Sequence, residues 1–212
     1  MSTPDLLPDS LLDLVPVMPV VVLHRVEDAV PVARALVAGG LPAIELTLRT
    51  PVALDALAAI AAEVPEIVVG AGTVVSAGQA KEAHDAGARF LVSPGATPTL
   101  LAAMTDTGLP FLPGVATVSE ALAVLETGLT EMKFFPAEAS GGAAFLSSVA
   151  APVPAARFCP TGGITPANAA RYLALPNVGC VGGSWLTPGD LVAARDWDAI
   201  AGLAREAAAL AG

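Results

Sequence analysis

Charged side chains are scarce in this 212-residue chain: Asp, Glu, Lys and Arg together make up 14%, against about 25% in an ordinary soluble domain. Aromatic residues are scarcer still, at 4%, which leaves no obvious stacking platform for bases. Ten basic residues face 20 acidic ones, for a formal net charge of -10. No basic stripe or arm offsets that balance, so no nucleic-acid partner is expected. A small phosphorylated molecule is still allowed, because backbone N–H groups hold a phosphate without a basic patch.

Long apolar runs are also missing. The longest, Val15 to Leu23, contains Pro16 and Pro19 and is too short to span a bilayer, so no membrane partner is expected. Between Met1 and Asp13 there are three aspartates and no basic cluster, which does not read as a secretory leader; a cytoplasmic location is expected. Cys159 and Cys180 each lie in an apolar segment without paired ligand spacing. They read as buried free thiols rather than a metal site or a disulfide.

What the chain does have is 54% hydrophobic residues arranged in a rhythm. Short, almost continuously apolar runs read as buried parallel strands at Val17–Val22, Ala43–Leu48, Ile67–Ala71, Arg89–Val92, Pro110–Leu112, Glu131–Phe135, Arg157–Cys159 and Val178–Gly182. Helical segments alternate with them: Asp28–Ala38, Pro51–Glu63, Ser76–Ala86, Thr97–Thr107, Thr117–Thr127, Gly142–Val149, Pro166–Leu173 and Trp197–Leu210. A short amphipathic helix is expected first, around Leu6–Leu14. Gly39–Gly40, Gly87, Gly108 and Gly128 mark helix ends, and Thr50–Pro51, Thr117 and Thr165–Pro166 mark helix starts. No linker interrupts the pattern. A single domain over residues 1–212 is expected, of α/β class, folded as a (βα)8 TIM barrel with a short N-terminal helix. An open doubly wound sheet is the rival.

Few residues in such a pattern need a chemical reason, and Lys133 is foremost. Only two lysines exist; Lys81 sits beside Glu82 and Asp85 on a helix and reads as solvated. Lys133 lies in Glu131-Met132-Lys133-Phe134-Phe135-Pro136, where a period of two turns Glu131, Lys133 and Phe135 toward the barrel axis. An amine held among apolar groups loses hydration, which favours its neutral, nucleophilic form; the bland alternative is a lysine snorkelling from a strand end.

The second strand places Glu45, Thr47 and Arg49 together on one face. Glu45 and Arg49 stand roughly 13 Å apart along an extended strand, so each is expected to find a different partner. Hydroxyls gather at other strand ends: Thr73, Ser93 before Pro94, and Thr161. After the last two strands come Gly162-Gly163 and Gly182-Gly183-Ser184, positions where βα barrels commonly cradle a phosphate. His84 reads as solvated and His24 as a surface or rim residue. Trp185 reads as a packing anchor for the last loop.

These segments resemble the 2-dehydro-3-deoxyphosphogluconate (KHG/KDPG) aldolase family over nearly the whole chain. The resemblance rests on Glu45-Leu46-Thr47-Leu48-Arg49-Thr50, Val69-Gly70-Ala71-Gly72-Thr73-Val74, Phe90-Leu91-Val92-Ser93-Pro94-Gly95 and Leu112-Pro113-Gly114-Val115-Ala116-Thr117. It continues in Lys133-Phe134-Phe135-Pro136-Ala137-Glu138, Arg157-Phe158-Cys159-Pro160-Thr161-Gly162-Gly163-Ile164 and Gly182-Gly183-Ser184-Trp185.

It implies a class I, metal-independent and cofactor-free aldolase acting on a phosphorylated 2-oxo acid, usually as a homotrimer. By that resemblance Lys133 is the Schiff-base lysine and Glu45 the acid/base. Arg49, Thr73 and Thr161 surround the pyruvyl carboxylate, and Gly162, Gly163, Gly183 and Ser184 hold the phosphate. Pro94 and Phe135 complete the substrate-binding set. The expected reaction cleaves 2-dehydro-3-deoxy-6-phosphogluconate to pyruvate and glyceraldehyde 3-phosphate. The alternatives are the phosphogalactonate sibling or 4-hydroxy-2-oxoglutarate as substrate, a phosphate-barrel isomerase or epimerase, and a non-catalytic scaffold. The effect of His24 on substrate choice is left open.

Overall fold

Strands of Val, Ile, Leu and Phe buried on both faces pair in parallel, and the Ala-rich segments between them coil into the helices that cover them. The computed structural model describes residues 9–210. The strands are β1 (Val17–Val21), β2 (Ala43–Thr47), β3 (Val68–Gly72), β4 (Phe90–Val92), β5 (Phe111–Leu112), β6 (Gly114–Val115), β7 (Glu131–Phe134), β8 (Arg157–Pro160) and β9 (Val181–Gly183). The helices are α1 (Ala29–Ala38), α2 (Ala53–Glu63), α3 (Ala77–Asp85), α4 (Pro98–Asp106), α5 (Val118–Leu125), α6 (Gly142–Val149), α7 (Pro166–Leu173), α8 (Gly189–Ala194) and α9 (Trp197–Ala208).

Pro113 splits the fifth strand into β5 and β6, so among the described residues the segments make eight barrel strands. They form two sheets, ordered β5-β4-β3-β2-β1-β9 and β6-β7-β8, with every pairing parallel. At one seam the chain itself crosses through Pro113, which has no N–H to give a ladder. Its carbonyl accepts the Lys133 N–H at 2.9 Å, and the Gly114 N–H turns to the Ser93 hydroxyl at 3.4 Å. At the other seam two isolated bridges, Phe158 to Val178 and Thr161 to Gly182, join β8 to the last strand, and they are out of register by one residue. The expected (βα)8 architecture is present, with an interrupted ladder where continuous closure was expected.

Alternation decides which way each side chain points. Phe134 faces outward and stacks on Phe145 of α6, centroids 5.0 Å apart and rings within 2° of parallel, with Phe158 edge-on at 6.4 Å. Met132 is fully buried on the same face. Lys133, one residue out of phase, therefore points inward.

Local differences have identifiable causes. Residues 6–8 of the expected N-terminal helix lie outside the described residues, and the remainder is one 3-10 turn, Leu11–Asp13. Tertiary contacts set that turn: the Leu11 N–H donates to Glu131 Oε2 at 3.1 Å, Ser10 donates to Glu131, and Arg157 Nη2 meets Asp13 at 2.7 Å. Glu131 thus sits partly exposed, bound to the turn and to Arg157. Helix α2 starts at Ala53 and not at Pro51, because the Thr50 hydroxyl donates to the Leu23 carbonyl at 2.6 Å and caps no helix. Thr117 does cap α5 in a box with Glu120, and Pro166 opens α7. Short α8 has no counterpart in the expected pattern.

Candidate active site

The centre of the site is one contact between two distant strands. Lys133 Nζ on β7 lies 2.9 Å from Glu45 Oε1 on β2, and the two residues are 3% and 1% exposed. Charged groups so buried are held only by a partner. Apolar strand neighbours were expected around the amine, with Glu45 as its acid/base by the family resemblance; the structure brings the two into direct contact. Phe135 borders the pair, with Nζ 5.5 Å from its ring centroid.

Close backbone approaches make room for this chemistry. A Cβ at Gly72 on β3 would stand 2.2 Å from Glu45 Oε1, and one at Gly182 on β9 would stand 2.1 Å from Thr161 Oγ1. No larger residue fits either position with these side chains in place. Thr161 is buried, and its hydroxyl lies 3.4 Å from the Cys159 carbonyl and 3.8 Å from the Cys159 thiol. Below it, Cys159 and Cys180 are free, buried and adjacent; the hydrogen bond to Cys159 and then burial push the Cys180 thiol well above the ordinary range.

Arg49 is exposed at the end of β2, and its Nε donates to Thr73 Oγ1 at 3.2 Å. Glu45 and Arg49 do take different partners. Thr73 holds φ at 60°, a left-handed angle that a β-branched residue rarely adopts, so local strain is stored beside the pair. Thr47 anchors the same strand by donating to the Val21 carbonyl at 3.0 Å. Pro94 packs its backbone so closely on Gly114 that a Cβ there would come within 2.2 Å.

The two glycine loops lie beside Thr161. Gly162 and Gly163 have φ of 99° and 79°, and Ser184 is exposed after Gly183, whose open face is covered by the Trp185 ring. Trp185 packs as expected. His24 is exposed beyond β1, and His84 is exposed beside Asp85. Sequence reasoning missed the role of Glu138, whose carboxylate accepts from Tyr172 and Arg171 of α7. Those partners lie more than 30 positions away, and no local pattern announces them.

A buried amine hydrogen-bonded to a buried carboxylate inside a parallel βα barrel defines a lysine-bearing barrel enzyme. Comparison with known proteins narrows this. The chain belongs to the KDPG and KHG aldolase family, whose pattern matches residues 9–203. It is 54% identical over 199 residues to the KHG/KDPG aldolase of Escherichia coli strain K12, covering 94% of this chain and 93% of that protein.

Among solved structures, it is similar to the KDPG aldolase of Legionella pneumophila, with a TM-score of 0.91 and 45% identity over 93% of this chain and 96% of that one. That enzyme was captured with pyruvate as a covalent carbinolamine at low pH. The 2-keto-3-deoxy-6-phosphogluconate aldolase of Zymomonas mobilis ZM4, solved with 3-phosphoglycerate, matches with a TM-score of 0.89 and 47% identity over 99% and 97% of the two chains.

Proposed function

We propose that this protein is a class I aldolase that cleaves 2-dehydro-3-deoxy-6-phosphogluconate to pyruvate and glyceraldehyde 3-phosphate. The observation that carries the reading is the 2.9 Å contact between Lys133 Nζ and Glu45. It gives the amine a base at hydrogen-bonding distance, so the lysine proton has somewhere to go as nitrogen attacks the 2-oxo carbon.

The resulting carbinolamine loses water with Glu45 returning the proton, leaving a protonated imine. That iminium accepts the electron pair of the C3–C4 bond as it breaks, while Glu45, directly or through water, takes the C4 hydroxyl proton. The aldehyde leaves, the enamine is protonated at C3, and hydrolysis frees pyruvate and Lys133. Arg49, whose guanidinium donates to Thr73 at 3.2 Å, supplies a rigid fork for the pyruvyl carboxylate, with Thr73 and Thr161 as its further ligands. Pro94 and Phe135 wall the site. Gly162, Gly163, Gly183 and Ser184 offer backbone and hydroxyl donors to the phosphate. The chemistry requires neither metal nor organic cofactor, because the imine is the electron sink.

We assign a homotrimer and a cytoplasmic location. Val118 and Leu122, exposed four residues apart on α5, offer apolar surface for an oligomer contact, and two buried cysteines left unpaired suit a reducing compartment. Among the described residues no helix is long and apolar enough to cross a membrane. The function is tested by coupling pyruvate release to lactate dehydrogenase. The expected result is turnover by the wild type and none by a folded Lys133→Ala variant. Full activity in that variant would remove the imine mechanism.

A further inference from the structure

The Lys133 strand and the Thr161 loop are stitched together after their strands end. The Ala137 N–H donates to the Thr161 carbonyl at 2.8 Å, and the Glu138 N–H donates to the Gly162 carbonyl at 3.1 Å. One side chain continues the seam. The Glu138 stem lies against Gly163 so closely that a Cβ there would stand 2.7 Å from its Cγ. Its Oε1 accepts hydrogen bonds from the Tyr172 hydroxyl and, at 3.4 Å, from Arg171 Nη2.

Both partners belong to α7, the helix that the glycine loop leads into. Asn168 ties that helix back to the loop, donating to the Gly163 carbonyl at 3.0 Å and accepting the Thr165 N–H at 2.8 Å. Gly142 closes the remaining side, since a Cβ there would lie 3.1 Å from the Tyr172 hydroxyl.

A carboxylate in this place needs a reason. The chain already carries a net charge of -10, and an anion beside a loop that receives a phosphate repels it. The cost is reduced because this carboxylate is engaged by a phenol and a guanidinium. Burial, and then the Glu138 hydrogen bond, hold Tyr172 protonated far above neutrality, so the phenol is a permanent donor.

We propose that Glu138 is a positioning residue: together with Tyr172 it clamps the Gly162-Gly163 loop to the Lys133 strand and fixes the separation between the loop donors and the reacting amine. This rests on the reading of that loop as the phosphate cradle. The clamp acts on the phosphorylated end of the substrate, with little effect on the carbon chemistry.

The test compares wild type, Glu138→Ala, Glu138→Gln, Tyr172→Phe and the Glu138→Ala/Tyr172→Phe double variant. Two substrates are used, 2-dehydro-3-deoxy-6-phosphogluconate and its analogue lacking only the phosphate, with inorganic phosphate as competitor. Glu138→Ala and Tyr172→Phe should each raise KM for the phosphorylated substrate about tenfold, with kcat falling less than about threefold. Inhibition by inorganic phosphate should weaken in parallel, and efficiency on the unphosphorylated analogue should fall far less.

Glu138→Gln keeps an acceptor oxygen and should recover most of the loss. The double variant should be no worse than Glu138→Ala, because both changes remove one contact. Equal losses on both substrates, or no loss in Tyr172→Phe, which preserves the buried ring, would overturn the proposal. A wild type that cleaves both substrates equally and ignores phosphate would sink the cradle reading itself, and the clamp with it.

Discussion

Replacing Gly72 by alanine should separate activity from stability. Gly72 has ordinary backbone angles, so the substitution adds no backbone strain. The new Cβ would nevertheless stand 2.2 Å from Glu45 Oε1 and 2.5 Å from its Cγ, where unstrained contact needs about 3.5 Å. Something must retreat by about 1 Å, and the end of the Glu45 side chain is the softest neighbour. A shift of that size breaks or distorts the 2.9 Å hydrogen bond to Lys133.

Because the clash reaches the Cγ of a buried side chain as well as its carboxylate, the stability cost should sit in the middle of the overpacking range, about 2 kcal/mol, or a Tm loss of about 4–8 °C. The catalytic cost is larger, since misplacing a reacting group by about 1 Å lowers kcat on the order of a hundredfold. A lactate-dehydrogenase-coupled assay beside a thermal melt reads both quantities. Gly202→Ala in α9, where the added Cβ meets open space, is the control and should stabilise by about 0.5–1 kcal/mol with kcat intact. Wild-type kcat in folded Gly72→Ala would refute the claim that this contact is the reacting pair.

Other outcomes follow from the same contacts. Tyr172, raised from the ordinary 10.0 to about 12, binds its proton more tightly in the native state. Its contribution is complete below pH 10 and lost as pH rises from 10 toward 12. Urea midpoints measured across that range should therefore fall more steeply in wild type than in Tyr172→Phe; identical slopes would remove Tyr172 as the cause. Cys159 and Cys180 should resist a thiol reagent in the native protein and both react in urea, with rapid native labelling contradicting their burial.

How much of this was written in the chain depends on how far apart the interacting residues lie. The eight strands were legible because doubly buried parallel strands are short apolar runs, and the Thr117 and Pro166 helix starts because caps are local. Lys133 stood out as one of two lysines in an apolar strand. Its partner was less visible: Glu45 is 88 positions away, and period-two alternation gives a face, not a neighbour. Within the described residues the N-terminal helix is only the 3-10 turn Leu11–Asp13, its shape set by Glu131 more than 100 positions downstream. Thr50 looked like a cap and is instead bound to the Leu23 carbonyl. Pro113 hid the second half of the fifth strand, and the one-residue slip between the Val178 and Gly182 bridges blurred the start of the last one.

The most direct test of the central claim is to incubate the protein with pyruvate and borohydride, then locate the adduct by peptide mass. Lys133 is predicted to carry the reduced pyruvyl group, while Lys81, 77% exposed and paired with Asp85, stays unmodified and serves as the internal control. No adduct from folded protein at saturating pyruvate, or an adduct on Lys81 alone, would contradict the account.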